Sequence, residues 1–257
     1  MLLDLDGVLY VGDRVVPGAA ETVEWLRSEG IPHRFLTNTT SRPRAAVVEK
    51  LDAMGVPAAA DDVLTPPVAA HAWLERHGLR HPALFVPEAT AAELSDLDPL
   101  DPGAEDGAGA VVVGDLGRGW DFDTLNRAFR LLMAEDALPL LALGLTRFWR
   151  APDGLRLDAG AFVRALEYAT GREAVVLGKP DRAFYTTAVD SLGAAPQEVV
   201  MVGDDVVTDV GGAQDAGLVG VLVRTGKFSP SDLEGEVRPD AVLDSVADLR
   251  GWWEEDR

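Results

Sequence analysis

The sequence predicts an α/β fold built on a largely parallel sheet, and three observations predict it. Short strand-like segments, among them residues 2–5, 33–37 and 199–202, alternate with longer stretches whose apolar residues recur at helical spacing. Several of these short runs end in polar or charged residues, as strands do when their ends line a site. At 257 residues the chain is long enough for one large domain or two modest ones, each with a real core.

Residues 2–5 read as the first strand. Pro17 and Gly18 open an amphipathic helix with Val23 and Leu26 on one face, and Gly30 closes it. Residues 33–37 form the next strand and 37–41 a polar loop. Pro43 sits where a first helical turn tolerates proline, and that helix runs to Met54 and Gly55; another covers 67–77. A different stretch begins near Arg80, with strands at 83–86 and 110–114 separated by an Asp-, Pro- and Gly-rich segment. A helix over 122–133 aligns Leu125, Phe129, Leu132 and Met133. Strand 140–143, helix 159–170 and strand 175–177 follow, the last leading into Gly178-Lys179-Pro180. The final part repeats the opening pattern: a helix carrying Phe184, Ala188, Val189 and Leu192 inward, strand 199–202 ending in Gly203-Asp204-Asp205, helix 209–216 and strand 219–223. The expected organisation is a discontinuous core, residues 1–79 and 176–257, with a second domain, residues 80–175, inserted into it.

Composition narrows the function classes. No apolar run approaches the roughly 20 residues of a membrane span; residues 137–145 come nearest and are too short. The first residues lack the basic region and long apolar core of a signal peptide. With no cysteine there is no disulfide framework, thiolate metal site or cysteine nucleophile, and a cytoplasmic location is expected. A formal net charge of −20 disfavours nucleic acid and anionic membrane as partners. A chain this acidic needs local positive charge or a bound cation to handle a phosphorylated substrate.

Four polar sites share one context, the end of an apolar strand: Asp4 with Asp6, Thr37 with Asn38, Lys179, and Asp204 with Asp205 and Asp209. A strand cannot bury two carboxylates cheaply, so Asp4 and Asp6 should emerge at its end. In a parallel sheet such ends lie along one edge, where residues about 200 apart in sequence meet and ligands bind. Carboxylates gathered there repel, so a cation is expected among them, and oxygen donors without cysteine or a histidine pair point to Mg²⁺ over zinc. A hydroxyl, backbone amides and a lysine suit the oxygens of a phosphoryl group. Each site has an ordinary reading by itself: an Asp-Gly turn, a Thr-Asn turn, a surface lysine entering a helix, an Asp209 helix cap. Four such coincidences in one chain are improbable. Elsewhere, Gly114-Asp115-Leu116-Gly117-Arg118-Gly119 lacks the Lys-Ser/Thr ending of a P-loop, His33, His71, His77 and His81 show no ligand spacing, and Arg147-Phe148-Trp149-Arg150 reads as a plain strand before it reads as an anion site.

At these residues the chain resembles the haloacid dehalogenase (HAD) superfamily of aspartate-nucleophile phosphohydrolases. Asp4-Leu5-Asp6-Gly7-Val8-Leu9-Tyr10 is similar to its first motif, Leu36-Thr37-Asn38 to its second, Gly178-Lys179-Pro180 to its third, and Gly203-Asp204-Asp205-Val206-Val207-Thr208-Asp209 to its fourth. Order and spacing match over essentially the whole chain. About 30 residues separate the first two motifs and about 140 the second and third, so the resemblance implies a Rossmann-like core with an inserted type-two α/β cap, as in the NagD-like subfamily IIA. Ala165-Leu166-Glu167-Tyr168-Ala169-Thr170, Gly211-Gly212-Ala213-Gln214 and Thr225-Gly226-Lys227 resemble the branch of phospholysine, phosphohistidine and inorganic pyrophosphate phosphatases. Two features depart from the pattern: only three residues precede Asp4, and the segment 96–109 is individual.

The resemblance implies roles. Asp4 is the nucleophile that forms an aspartyl-phosphate, and Asp6 the general acid and base. Asp4, Asp204 and the backbone carbonyl of Asp6 hold Mg²⁺, with Asp205 or Asp209 orienting metal-bound water. Thr37, Asn38, Thr39 and Lys179 bind the transferring group. The expected activity is a phosphoric monoester hydrolase for a small phosphorylated molecule, extending to pyrophosphate or P–N bonds; the resemblance also implies a cap of a type that often contributes to homodimers, while the sequence itself does not fix the oligomeric state. The alternatives are a phosphotransferase using the same intermediate and a receiver-like or silent phospho-ligand module, against which the motif order and the large insertion count.

Overall fold

The computed structural model describes residues 1–40, 42–134, 138–151 and 154–256. Ser41, the end of the expected polar loop, and Ala137, the start of the longest apolar run, lie outside the described residues. Internal contacts divide the chain into two compact units. One comprises Met1–Thr37, Arg44–Leu64 and Lys179–Arg257; the other comprises Asn38–Pro43 and Thr65–Gly178.

Along the first unit, β1 (Leu2–Asp4) precedes a small antiparallel hairpin, β2 (Tyr10–Val11) and β3 (Arg14–Val15), then α1 (Ala19–Ser28), β4 (Arg34–Leu36), α2 (Arg44–Ala53) and β5 (Val63–Leu64). The second unit carries α3 (Pro66–Arg76), β6 (Pro82–Phe85), α4 (Glu88–Ala91), β7 (Ala110–Val113), α5 (Phe122–Ala134), β8 (Leu140–Ala142), a hairpin of β9 (Phe148–Ala151) and β10 (Gly154–Leu157), α6 (Ala159–Thr170) and β11 (Val175–Val176). The chain re-enters the first unit with α7 (Arg182–Leu192), β12 (Val200–Gly203), α8 (Gly212–Asp215), β13 (Val219–Val223), β14 (Ala241–Leu243) and α9 (Leu249–Asp256). No helix among the described residues is long and apolar enough to cross a membrane.

The first unit is built on a six-stranded sheet, ordered β14-β13-β12-β1-β4-β5, in which every neighbouring pair is parallel. Its central strands are apolar without alternation, because a parallel sheet is covered on both faces. Leu2, Leu3, Phe35, Leu36, Val200, Met201, Val202, Val221, Leu222 and Val223 are all buried. α1 contributes Val23, Trp25 and Leu26 to the same core. The chain leaves β1 towards β4 on one side and later returns to β12 on the other, so the strand order reverses at β1. Asp4 pairs with Leu36 and Leu3 with Val202. The carboxyl ends of β4, β1 and β12 are therefore level, and an open crevice for ligand forms at such a reversal.

The second unit has its own four-stranded parallel sheet, β11-β8-β7-β6. Phe85, Val111, Val113, Leu131, Leu132, Leu140, Val163 and Leu166 fill its core. Beside them Trp120 stacks between Phe85 (centroids 5.8 Å apart) and Phe162 (4.7 Å), while the Arg127 guanidinium covers the Phe85 ring at 5.2 Å. Besides Asn38–Pro43, this unit takes in Thr65–Gly178, a stretch that starts earlier than the boundary near residue 80 that the sequence suggested. The physical reason is α3. Thr65 caps it by accepting from the Val68 N–H, and the helix packs on the 3₁₀ segment Ala92–Leu97, with His71 Nε2 2.9 Å from the Asp96 carboxylate.

Candidate active site

The site is assembled at the reversal point from the ends of β1, β4 and β12 together with Lys179, just ahead of α7; the strand expected to lead into Lys179, β11, belongs instead to the sheet of the second unit. Asp4, the last residue of β1, is 6% exposed, and the Lys179 ammonium donates to its Oδ1 at 2.5 Å. Lys179 precedes α7 and is itself buried; its Nζ also lies 2.8 Å from Asp209 Oδ1. Asp204 follows β12 directly and is 1% exposed. The loop after it folds back on itself because Asp209 Oδ2 accepts from the N–H groups of Asp204 (3.2 Å) and Asp205 (3.1 Å). From α7, the Tyr185 hydroxyl reaches the carbonyls of Thr208 (2.8 Å) and Asp209 (3.1 Å) and fixes that turn. Asp4, Asp204 and Asp209 each place a carboxylate oxygen within 4.8 Å of the others.

Three buried carboxylates against one ammonium make a site short of positive charge. Burial, helped by Asp209, pushes the Asp4 carboxyl up to about 7 against the pull of Lys179. Burial, and then Asp209, also raise Asp204, against the Lys227 N–H that favours its ionised form. Burial alone would lower Lys179, but Asp209 and Asp4 hold its ammonium well above the ordinary lysine range. Asp204 Oδ1 is buried with no hydrogen-bond partner, an expensive condition unless a cation satisfies it. Hard oxygens in this arrangement fit a small divalent cation such as Mg²⁺.

The other expected residues fall as follows. Thr37 is buried immediately beyond β4, and its N–H donates to the Leu64 carbonyl at 3.2 Å. Asp6 is exposed, two residues past the end of β1, and its side chain is not among the three clustered carboxylates. Asn38 and Thr39 belong to the second unit, where a Cβ on Gly178 would stand 3.3 Å from Asn38 Oδ1. Asp205 is half-buried, and its Oδ1 accepts from Val207 N–H (3.1 Å) and Thr208 N–H (3.0 Å). Burial pushes its carboxyl up, but these donors and Lys227, whose Nζ lies 3.6 Å away, bring it below the usual range.

The helix expected to start at Asp209 starts instead with a π-helical turn, Val206–Gly211, leading into α8. Asp205 therefore caps it, and the alternative of Asp209 as a helix cap is set aside: Asp209 sits inside the turn with its carboxylate directed at Lys179 and the Asp204 and Asp205 amides. Replacing the cap, Asp205→Ala, is expected to lower stability by about 1 kcal/mol in urea titrations.

Of the histidines, His33 is buried with Nδ1 3.0 Å from the Ile31 carbonyl and His77 stacks on Trp73. His71 meets Glu75 one helical turn on and Asp96 through space, the latter a contact that sequence spacing does not reveal. Residues 148–151 do form a strand; the side chains of Trp149 and Arg150 lie outside those described.

Comparison with known proteins agrees with this architecture. Residues 1–98 match the family described as haloacid dehalogenase-like hydrolase, and residues 176–249 the one described as HAD-hyrolase-like. The chain is 40% identical over 243 residues to haloacid dehalogenase-like hydrolase domain-containing protein 2 of Homo sapiens, covering 95% of this chain and 90% of that one. It is 39% identical over 252 residues to phospholysine phosphohistidine inorganic pyrophosphate phosphatase of Danio rerio, covering 96% and 91%. Among solved structures, NagD from E. coli K-12 superposes with a TM-score of 0.82 at 26% identity over 96% of each chain. A p-nitrophenyl phosphatase from Archaeoglobus fulgidus gives 0.82 at 27% identity, again over 96% of each. With its acidic cluster at the strand-order reversal and two of its relatives matched over nearly their full length, the chain belongs to the haloacid dehalogenase-like hydrolase family.

Proposed function

We propose that the protein is a Mg²⁺-dependent phosphatase that hydrolyses a small phosphorylated molecule through an aspartyl-phosphate on Asp4. The observation that carries this reading is the buried pair of Asp4 and Lys179 beside Asp204, whose Oδ1 has no hydrogen-bond partner. Mg²⁺ would be held by Asp4 and Asp204, with Asp209 next to them, and would supply the positive charge that three carboxylates lack and polarise the phosphoryl oxygens.

The residues then divide the work. An oxygen of Asp4 attacks phosphorus in line, so that the Asp4 O–P bond forms as the bond to the leaving oxygen breaks. Asp6, exposed beyond the strand end, gives its proton to that leaving oxygen. In the second half it takes a proton from the water that attacks the aspartyl-phosphate, which restores Asp4 and releases phosphate. Lys179 favours the ionised nucleophile and offers a donor to the transferring group. The Thr37 hydroxyl and the backbone that continues through Asn38 and Thr39 supply further donors. The names carried by the relatives, phosphatases of pyrophosphate, P–N compounds and an aryl phosphate ester, support the same chemistry.

Turnover of p-nitrophenyl phosphate provides the test. Dialysis against EDTA is expected to remove it and added Mg²⁺ to restore it saturably; full activity in EDTA overturns the metal role. Rates on inorganic pyrophosphate, phospholysine, phosphohistidine and sugar phosphates then assign the substrate class.

A further inference from the structure

Residues 225–227, Thr-Gly-Lys, follow β13 and reach across to the ends of β1 and β12. The Thr225 hydroxyl donates to the Gly7 carbonyl, in the turn just past Asp6. The Lys227 N–H donates to Asp204 Oδ2 at 2.7 Å. Between them Gly226 has φ +65°, and a Cβ there would stand 2.1 Å from Asp204 Oδ2 and 2.5 Å from Gly7 Cα. Gly7 has φ +97°, and a Cβ on it would stand 1.9 Å from the same oxygen. One carboxylate is thus enclosed between two glycines whose backbones could not carry a side chain.

This enclosure has a chemical consequence. The terminal torsion of an aspartate is broad, so a free carboxylate samples many orientations. Here Oδ2 is engaged by a backbone donor, and Oδ1 is the oxygen left buried and unpartnered. We propose that residues 225–227 are a positioning element of the active site: they lock the Asp204 carboxylate with Oδ1 turned to the cation, and through Thr225 tie the turn after Asp6 to the same lock. The proposal rests on the reading of Asp204 as a cation ligand. Thr225, Gly226 and Lys227 act through Asp204 and Gly7.

Mn²⁺ binding to the full chain without substrate, followed by electron paramagnetic resonance, tests the lock independently of turnover. Thr225→Val keeps the side-chain volume and removes the hydroxyl; Thr225→Ser keeps the hydroxyl. Losing such a supporting partner is expected to weaken Mn²⁺ binding about tenfold in Thr225→Val, with Thr225→Ser within about twofold of the parent. Undiminished binding in Thr225→Val overturns the proposal, as does equal loss in Thr225→Val and Thr225→Ser. Asp204→Asn separates the two layers. If it weakens Mn²⁺ binding while Thr225→Val does not, the lock alone fails; if it leaves binding intact, the ligand reading and the lock fail together.

Discussion

If Asp4 is the proposed nucleophile, Asp4→Asn is expected to lower turnover of p-nitrophenyl phosphate by roughly 10⁴-fold or more, the scale on which enzymes respond to loss of a covalent nucleophile. The amide has the shape of the carboxyl but no free oxygen lone pair of comparable nucleophilicity, so no aspartyl-phosphate forms. The fold is expected to survive. The ammonium that Asp4 binds at 2.5 Å also has Asp209 at 2.8 Å, so Lys179 keeps a charged partner. Burial already works against an ionised Asp4, and the neutral side chain relieves that cost. Steady-state kinetics together with thermal unfolding check both halves. Turnover equal to the parent overturns the assignment of Asp4, and a collapsed melting transition overturns the view that Asp209 suffices to hold Lys179.

Lys179→Met is the second large effect, and it strikes stability as well as rate. It leaves Asp4, Asp204 and Asp209 buried together without their ammonium. Removing one member of a buried ion pair costs about 3–5 kcal/mol, because the remaining charge is uncompensated. It also withdraws what favours ionised Asp4, so a larger share of the nucleophile is protonated near neutral pH. A charged donor aimed at a transferring group is worth roughly 10²–10³-fold in rate, and a loss at least that large is expected. Urea unfolding and saturating kinetics in excess Mg²⁺ separate the two. A variant as stable and as fast as the parent would show that Lys179 is a bystander to the acidic cluster.

What could be read from the sequence follows how each feature is encoded. Parallel strands covered on both faces, such as Val200–Gly203 and Val219–Val223, write themselves as apolar runs, and helices such as Ala159–Thr170 as a 3.6-residue period. The α/β sheet was legible for that reason, and the HAD resemblance from the motifs at Asp4–Tyr10, Leu36–Asn38, Gly178–Pro180 and Gly203–Asp209. β5, with two residues, and β14, with three, are too short to carry a period, and they were missed together with the hairpin of β2 and β3. The start of the second unit's longer stretch at Thr65 depends on α3 packing against the segment that contains Asp96, a through-space fact without a local signal. In the site, Asp4, Lys179 and Asp204 were marked by their strand ends. The inward turn of Asp209 and the reach of Thr225 to Gly7 depend on a π-helical turn and on a contact spanning 218 residues, neither of which a motif displays.

The reversal of strand order at β1 also has a consequence in time. Asp4 stands near the start of the chain, yet its ammonium partner Lys179 lies 175 residues later, and Thr225, which braces Gly7, lies 218 residues after that glycine. Chain closures of that span carry an entropy cost that only the finished sheet offsets. A nascent chain halted before β12 already carries Asp4, Thr37 and Lys179 but lacks Asp204 and Asp209, so the acidic cluster is incomplete until β12 is added. The acidic cluster is complete only once β12 docks beside β1, with β13 beside β12, so recovery of activity on refolding is expected to report completion of the sheet rather than the formation of its helices.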